Sequence, residues 1–233
     1  MEKQDRIVNS QTINRRLYAP PGRKNWGPGL LLVPLVTLAG CSGGPTSLPI
    51  PSFDPGDSAE QAMEIYDTDG DGFVAGEELE NAAGLRATLR SLDTDGDGKV
   101  SEAEVAERVR AWDKMQIGMM NFDALFLMDG KPLAEAKVTF DPEEFLGGVV
   151  QAGLGETDMG GGLRPRVPKE NRPTPDSPPG MQAGIYKVRV SKIVDGEETI
   201  PAKYNTETIF GQEVSKDNWE INNRRVIFKL KSK

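Results

Sequence analysis

The chain has 233 residues, enough for one or two domains that fold without cross-links. It is 37% hydrophobic and 27% charged, as soluble proteins are, and its formal net charge is -8. It contains no His and one Cys, at position 41. This excludes His-based catalytic triads, His-ligated metal sites, intramolecular disulfides and Cys-rich metal sites.

The negative charge is concentrated in one stretch. Residues 57 to 104 carry three Lys or Arg against fourteen Asp or Glu, a net of -11, whereas residues 105 to 233 carry nineteen of each. Residues 1 to 40 are basic, with six Lys or Arg against two acidic residues. An acidic stretch of this kind favours a cation as ligand and argues against nucleic acid as a partner.

Residues 1 to 40 have the pattern of a secretory signal. A basic stretch precedes LLLVPLVTLA, residues 30 to 39, and this apolar run is too short to span a bilayer, which takes about 20 residues. The run leads into LAGC, which ends at Cys41 and resembles the lipobox of bacterial lipoproteins. That resemblance implies cleavage before Cys41, a lipid on Cys41, and anchoring to a membrane of the cell envelope, periplasmic or at the cell surface. An ordinary signal peptide, or a short buried helix with an incidental thiol, is the alternative.

A segment rich in Pro, Gly and Ser follows the cysteine, SGGPTSLPIPSFDPGDS at residues 42 to 58. Such a composition buries little apolar surface and favours extended conformations. We therefore expect the lipid site and a flexible tether over residues 41–56, which would hold the folded part away from a membrane.

Two twelve-residue segments share one pattern: DTDGDGFVAGEE at residues 67–78 and DTDGDGKVSEAE at residues 93–104. A hard dication such as calcium takes six to eight oxygen ligands at about 2.3 to 2.6 Å, which a loop of this length supplies from positions 1, 3, 5, 7, 9 and 12. Position 6, where the chain turns sharply, is glycine in both segments, Gly72 and Gly98.

Both segments resemble the EF-hand calcium loop at its diagnostic positions, which implies two bound calcium ions. In the first loop the implied ligands are Asp67, Asp69, Asp71, the carbonyl of Phe73, a water held by Ala75, and Glu78. In the second loop they are Asp93, Asp95, Asp97, the carbonyl of Lys99, Ser101 and Glu104. A solvated acidic turn without metal is one alternative. A dockerin module is another, but dockerins usually have Asp at position 12 and lack the helix that enters the loop.

Helical patterns flank both loops, at residues 58–66, 79–92 and 103–115. Asp57 or Ser58 is the expected N-cap of the first helix. The fourteen residues between the loops have to form two short helices, with Gly84 as the expected break. An EF-hand pair is thus predicted over residues 57–117. Four carboxylates in each loop repel one another, so we expect the pair to be loosely folded without calcium.

From Asn121 onward the hydrophobic pattern alternates with a period of two. Strands are expected at residues 121–128, 136–140, 184–191 and 225–230, with a turn at 129–132. Short strands separated by turns predict an antiparallel β-sandwich over residues 118–233, with a long Gly- and Pro-rich loop at 153–180. The fold class is therefore α+β, a helical EF-hand pair followed by a sandwich.

The runs LMDGKPLAEAKVTFDP, PPGMQAGIYKVRVS and PAKYNTET resemble the carboxypeptidase regulatory-like, or transthyretin-like, domain. That resemblance implies an Ig-like sandwich that is usually non-catalytic and has a structural or adhesive role. The loop at residues 153–180 is longer than the resemblance would lead one to expect.

The functional prediction combines these parts. It is a lipid-anchored, calcium-binding protein of the cell envelope that contacts a membrane through Cys41 and has a protein or polysaccharide partner that the sequence does not identify. No nucleophile has a base at a recognisable spacing, so the chain is not expected to be an enzyme. One alternative is a calcium-dependent enzyme or regulatory subunit whose EF-hand pair stabilises the β domain. Another is an intracellular calcium sensor, for which LAGC would be accidental.

Overall fold

Residues 50–233 are the part of the chain that the structure, a computed structural model, describes. The predicted signal, the lipid site at Cys41 and most of the predicted tether lie outside these residues, so those expectations stay predictions. Within residues 50–233, no helix has both the length and the apolar character needed to cross a membrane.

The first part of the described chain is helical and contains both acidic loops. Its elements are α1 (Pro55–Tyr66), β1 (Phe73–Val74), α2 (Gly76–Asn81), α3 (Ala83–Leu92), β2 (Val100–Ser101) and α4 (Glu102–Met115). The strands β1 and β2 are antiparallel, with Val74 opposite Val100. Both valines are completely buried, so this short ribbon ties the two loops to the hydrophobic core.

Helix α1 begins earlier than the sequence pattern predicted. Asp54 is the N-cap, and its Oδ1 accepts hydrogen bonds from the N–H groups of Gly56 at 2.9 Å and Asp57 at 3.2 Å. Pro55 follows at the first helical position, where a missing N–H costs nothing. The predicted cap at Asp57 or Ser58 is therefore wrong, because the Asp-Pro pair just before it already supplies a stronger start signal.

The break between α2 and α3 lies at Ala82, so the prediction that placed it at Gly84 is wrong. Gly84 belongs to the first turn of α3, and a Cβ at this position would lie 2.1 Å from Oε1 of Glu143 and 2.7 Å from Cγ2 of Ile185. The glycine lets the helix approach the sheet closely, and its role is packing rather than termination.

The second part of the described chain is mostly strand. Its elements are β3 (Ala124–Met128), β4 (Lys131–Pro132), β5 (Lys137–Pro142), β6 (Gly153–Glu156), β7 (Gly162–Leu163), β8 (Gly184–Ser191), β9 (Ile193–Val194), β10 (Glu197–Glu198), β11 (Phe210–Val214), the short helix α5 (Trp219–Asn222) and β12 (Val226–Leu230). Turns of 3₁₀ helix occur at Glu144–Leu146, Lys169–Asn171 and Ala202–Tyr204.

These strands form two larger sheets and one hairpin, β9–β10. One sheet has the order β11-β8-β5-β6 and is antiparallel throughout. In the other sheet β3 lies between β12 and β4 and also pairs with β7, and β12 runs parallel to β3. The α+β prediction is confirmed. The second sheet is mixed rather than antiparallel, because β12 returns beside β3 after a long connection.

The segment predicted as a long loop, residues 153–180, contains β6 and β7. Strand β6 pairs with β5, and β7 pairs with β3, so the segment adds to both sheets. Glycines hide the alternating pattern here. A Cβ at Gly153 would lie 2.1 Å from Sδ of Met181, and one at Gly155 would lie 2.2 Å from Cδ1 of Leu163, so a side chain at either position would require its neighbour to move.

Aromatic rings fill the space between the two larger sheets. Phe126 and Phe228 stack with centroids 4.7 Å apart, and Phe210 and Phe140 meet Phe228 at 5.2 and 6.3 Å. The buried residues of the helices join the same hydrophobic core. Helices and sheets therefore share one core across the boundary that the sequence suggested at residue 117.

Candidate metal centre

The first loop, residues 67–78, brings three carboxylates together. Oxygen atoms of Asp67, Asp69 and Asp71 lie within 4.8 Å of one another. The two carboxylate oxygens of Asp67 accept hydrogen bonds from the N–H groups of Gly70 and Gly72, at 2.8 and 3.0 Å. Both glycines have positive φ, +74° and +88°, a conformation that side chains disfavour. The glycines thus wrap the backbone around the first aspartate.

The second loop, residues 93–104, has the same arrangement. Oxygen atoms of Asp93, Asp95 and Asp97 lie within 4.8 Å of one another. The N–H groups of Gly96 and Gly98 donate to the two oxygens of Asp93 at 2.6 and 3.0 Å. The repeat in sequence is therefore a repeat in geometry.

The glutamate at position 12 of each loop lies outside these aspartate triads and reaches back over the start of its loop. Oε1 of Glu78 accepts hydrogen bonds from the N–H groups of Thr68 and Asp69, at 2.7 and 3.1 Å. Oε1 of Glu104 accepts one from the N–H of Thr94 at 2.9 Å, and its Oε2 accepts one from the N–H of Ser101 at 2.9 Å. Each glutamate therefore closes its loop into a ring.

Hydrogen bonds keep both glutamates ionised, as a metal ligand has to be. The bond from the Thr68 hydroxyl, aided by nearby backbone N–H groups, lowers the pKa of Glu78. Burial opposes ionisation of Glu104, but hydrogen bonds from Ser101 and Thr94 outweigh it, so the pKa of Glu104 is also lowered.

The predicted carbonyl ligands belong to residues that meet between the loops. Phe73 opposes Ser101 across the β1–β2 ribbon, and Lys99 directly precedes that ribbon. The Lys99 ammonium lies 4.6 Å from the centroid of the Phe73 ring. The two position-7 residues are thus in contact, and their carbonyls stay predicted ligands.

The donor set fits a hard dication. Each loop has a carboxylate at four of the ligand positions, and neither loop contains the His or Cys that would favour zinc or copper. A family model described as EF hand matches residues 85–107. The match spans most of α3, the whole second loop and the start of α4. No curated protein matches the chain. The EF-hand match and the two acidic clusters indicate calcium binding, and the number of ions stays a prediction.

Two ionic clusters next to the loops, each centred on a buried charged side chain, were not predicted. In the first, the Tyr66 hydroxyl donates to Oε2 of Glu143 at 2.6 Å, and Nζ of Lys187 lies 3.3 Å from the same oxygen. Burial raises the pKa of Glu143, which Lys187 offsets only in part. Burial, with the Glu143 charge, also raises the pKa of Tyr66.

The second cluster surrounds Arg108 of α4. Its Nε donates to Oε1 of Glu213 at 2.5 Å, and its two terminal nitrogens bind the carboxylate of Asp217 at 2.8 and 2.7 Å. The indole N–H of Trp112 donates to the same Glu213 oxygen at 3.0 Å. The one sequence signal was that Arg108 lies on the apolar face of its helix, beside Val105 and Val109.

Proposed function

We propose that the protein is a lipid-anchored, calcium-binding protein of the cell envelope with a non-catalytic, structural or adhesive role. The observation that carries the proposal is the cluster of three aspartates that recurs in both loops, with the first aspartate of each held by glycine N–H groups. Two divalent ions would offset half of the charge of the eight carboxylates at the ligand positions, which repel one another in the absence of metal.

Calcium in these loops would order the helices that pack against the sheet part. Val74 and Val100, between the loops, are fully buried in the same core as the sheet residues Ile185 and Val188. Because metal binding to such loops is coupled to folding, calcium would stabilise the whole described unit. The sheet part, proposed as a carboxypeptidase regulatory-like sandwich, would then present its outer surface to a protein or polysaccharide partner.

The decisive experiment is calorimetric titration of the full-length chain with calcium, and with magnesium for comparison. The expected result is two calcium ions per chain, with dissociation constants in the range of about 10⁻⁴ to 10⁻³ M that is common for extracellular modules. The double variant Glu78→Gln, Glu104→Gln is expected to lose most of this affinity. Absence of bound ion in equilibrium dialysis at millimolar calcium would overturn the proposal.

The lipid anchor is supported by LAGC, by the apolar run before it and by the single cysteine. Labelled palmitate is expected to enter the wild-type protein in bacterial cells and to be lost in Cys41→Ser. Equal labelling of the two proteins, or no labelling of the wild type, would remove the anchor from the proposal and leave calcium binding untouched.

One observation favours the second candidate, a regulatory subunit in which the EF-hand pair stabilises the β domain. The first turn of α3 lies directly on β11, so that a Cβ at Gly211 would be only 2.2 Å from the carbonyl oxygen of Ala83. Contact this close would transmit a movement of the helix to the sheet. A catalytic activity of a purified partner that rises when the chain and calcium are both added would favour this candidate.

A further inference from the structure

Both helices that enter the calcium loops contact one buried carboxylate of the sheet part. Glu143 follows β5 and is 2% exposed. Its Oε2 accepts the hydrogen bond of the Tyr66 hydroxyl at 2.6 Å. Tyr66 is the last residue of α1 and directly precedes Asp67, the first aspartate of the first loop. Glu143 therefore holds the chain one residue before a metal ligand.

The other oxygen of Glu143 lies against the start of α3. Its distance of 2.1 Å from an ideal Cβ at Gly84 shows how closely the carboxylate packs on the first turn. The N-cap of α3, Ala82, has no side chain that can accept a hydrogen bond, and the nearby N–H of Gly84 favours the ionised form of Glu143. A carboxylate in this position is stabilised by the positive end of the helix dipole. Because α3 leads directly to Asp93, Glu143 contacts the entering helices of both loops.

The last ligand of the pair is held in a comparable way. Arg108 lies one helical turn after Glu104, and its guanidinium joins Glu213 of β11 to Asp217. Arg108 and Glu213 are 8% and 1% exposed. Breaking a buried pair leaves an uncompensated charge, so this contact resists displacement of α4 from the sheet.

We propose that Glu143 and Arg108 are positioning residues for the calcium site, which couple ion binding in the loops to the packing of the helices on the sheet. The inference rests on the proposed calcium binding and deepens it. In a sensor, calcium moves the helices apart and exposes a groove. Here the end of α1 and the middle of α4 are bound to the sheet part through Tyr66 and Arg108, so calcium secures an existing contact. Thermodynamic linkage makes this coupling reciprocal. Docking of the helices on the sheet strengthens calcium binding by the same free energy by which bound calcium stabilises docking.

The test uses the full-length chain and calcium alone as the probe. Glu143→Gln removes the charge and keeps the shape, Tyr66→Phe removes a single hydroxyl, and Arg108→Met removes the guanidinium. The matched control is Asp123→Asn, which breaks the exposed pair with Arg164. Calorimetry gives the dissociation constants, and thermal unfolding in chelator and in millimolar calcium gives the stabilisation by calcium.

In the three test variants, calcium affinity is expected to fall about fivefold or more, the lower range of measured couplings, and the calcium-induced rise in Tm is expected to shrink. The control variant is expected to match the wild type in both. If the test variants melt earlier by the same amount with and without calcium and keep wild-type affinity, the residues are only structural and the inference is wrong.

Tyr66→Phe decides the matter for Glu143 if Glu143→Gln does not fold, because unchanged affinity in Tyr66→Phe would contradict the coupling. Failure of the proposed function has a different signature, in which the wild type itself binds no calcium.

Discussion

Gly211 of β11 offers a direct test of the close contact between α3 and the sheet. A Cβ at Gly211 would lie 2.2 Å from the carbonyl oxygen of Ala83 and 2.7 Å from Cα of Gly84. Ordinary contacts of a Cβ begin at 3.4 Å, so the added methyl group would be more than about 1 Å too close. Both neighbours are backbone atoms, which no rotamer change can move. The Gly211→Ala variant therefore has to lift the first turn of α3.

The expected cost follows from this geometry. Overpacking costs about 1 to 3 kcal/mol, and the upper value applies because the clash is with backbone. Replacing glycine by alanine within a strand returns roughly 0.5 to 1 kcal/mol of backbone entropy. The net loss in the free energy of unfolding is thus about 2 kcal/mol. Because α3 carries Asp93 at its end, the calcium affinity of the second loop is expected to fall as well.

Urea unfolding in chelator measures the loss, and Gly56→Ala is the matched control. Gly56 lies in the first turn of α1, where the nearest atom to an added Cβ is Oδ1 of Asp54 at an acceptable 3.4 Å. This control is expected to be about 0.4 to 1 kcal/mol more stable than the wild type. A Gly211→Ala variant as stable as the wild type would refute the reasoning, as would a shift of both variants in the same direction.

Three further predictions concern single side chains. Asp54→Ala removes the acceptor for two N-terminal N–H groups of α1 and is expected to lower the free energy of unfolding by about 1 kcal/mol in urea titrations. An unchanged free energy would mean that another group caps the helix. Arg108→Met leaves the buried carboxylate of Glu213 without its ion-pair partner and is expected to lower the free energy of unfolding by about 3 to 5 kcal/mol. Arg164→Met breaks an exposed pair and is expected to lower it by less than about 1 kcal/mol. Equal losses in the two variants would contradict this ranking. Burial raises the pKa of the Glu143 carboxyl above 4.5, so the folded state binds a proton there more tightly than the unfolded chain does. The contribution of Glu143 to stability therefore falls as the pH rises from 4.5 through the raised pKa. The difference in unfolding free energy between wild type and Glu143→Gln is expected to change over that pH range, and parallel pH profiles would show that the carboxyl does not titrate there.

The loops could be predicted from the sequence because their interactions are local. The aspartates and glycines that form each ring lie within twelve residues, so their spacing alone specifies the geometry. The helices around them were also predicted, with errors at their ends. The cap at Asp54 and the break at Ala82 depend on single residues, which periodicity does not resolve.

The strands with glycines were missed for a physical reason. Alternation is recognised from side chains, and Gly153, Gly155 and Gly162 have none, because neighbouring atoms occupy the space in each case. The strands with which they pair, β5 and β3, lie elsewhere in the chain. No local pattern therefore distinguishes such a strand from a flexible loop.

The ionic clusters beside the loops depend on contacts between distant parts of the chain. Tyr66 and Glu143 are 77 residues apart, and Arg108 and Glu213 are 105 apart. In the sequence, Glu143 is an ordinary acidic residue near a strand end. Its burial is a property of the assembled helices and sheet, so the sequence of one chain does not reveal it.

The parallel pair of β3 and β12 has a consequence for biosynthesis. Strand β12 leaves the ribosome about 100 residues after β3, and until then Phe126 lacks the Phe228 ring on which it stacks. A half-made chain would expose this aromatic surface, whereas both acidic loops are already complete. Closure of the sheet therefore comes last, and with it the contact of Arg108 with Glu213 that docks α4.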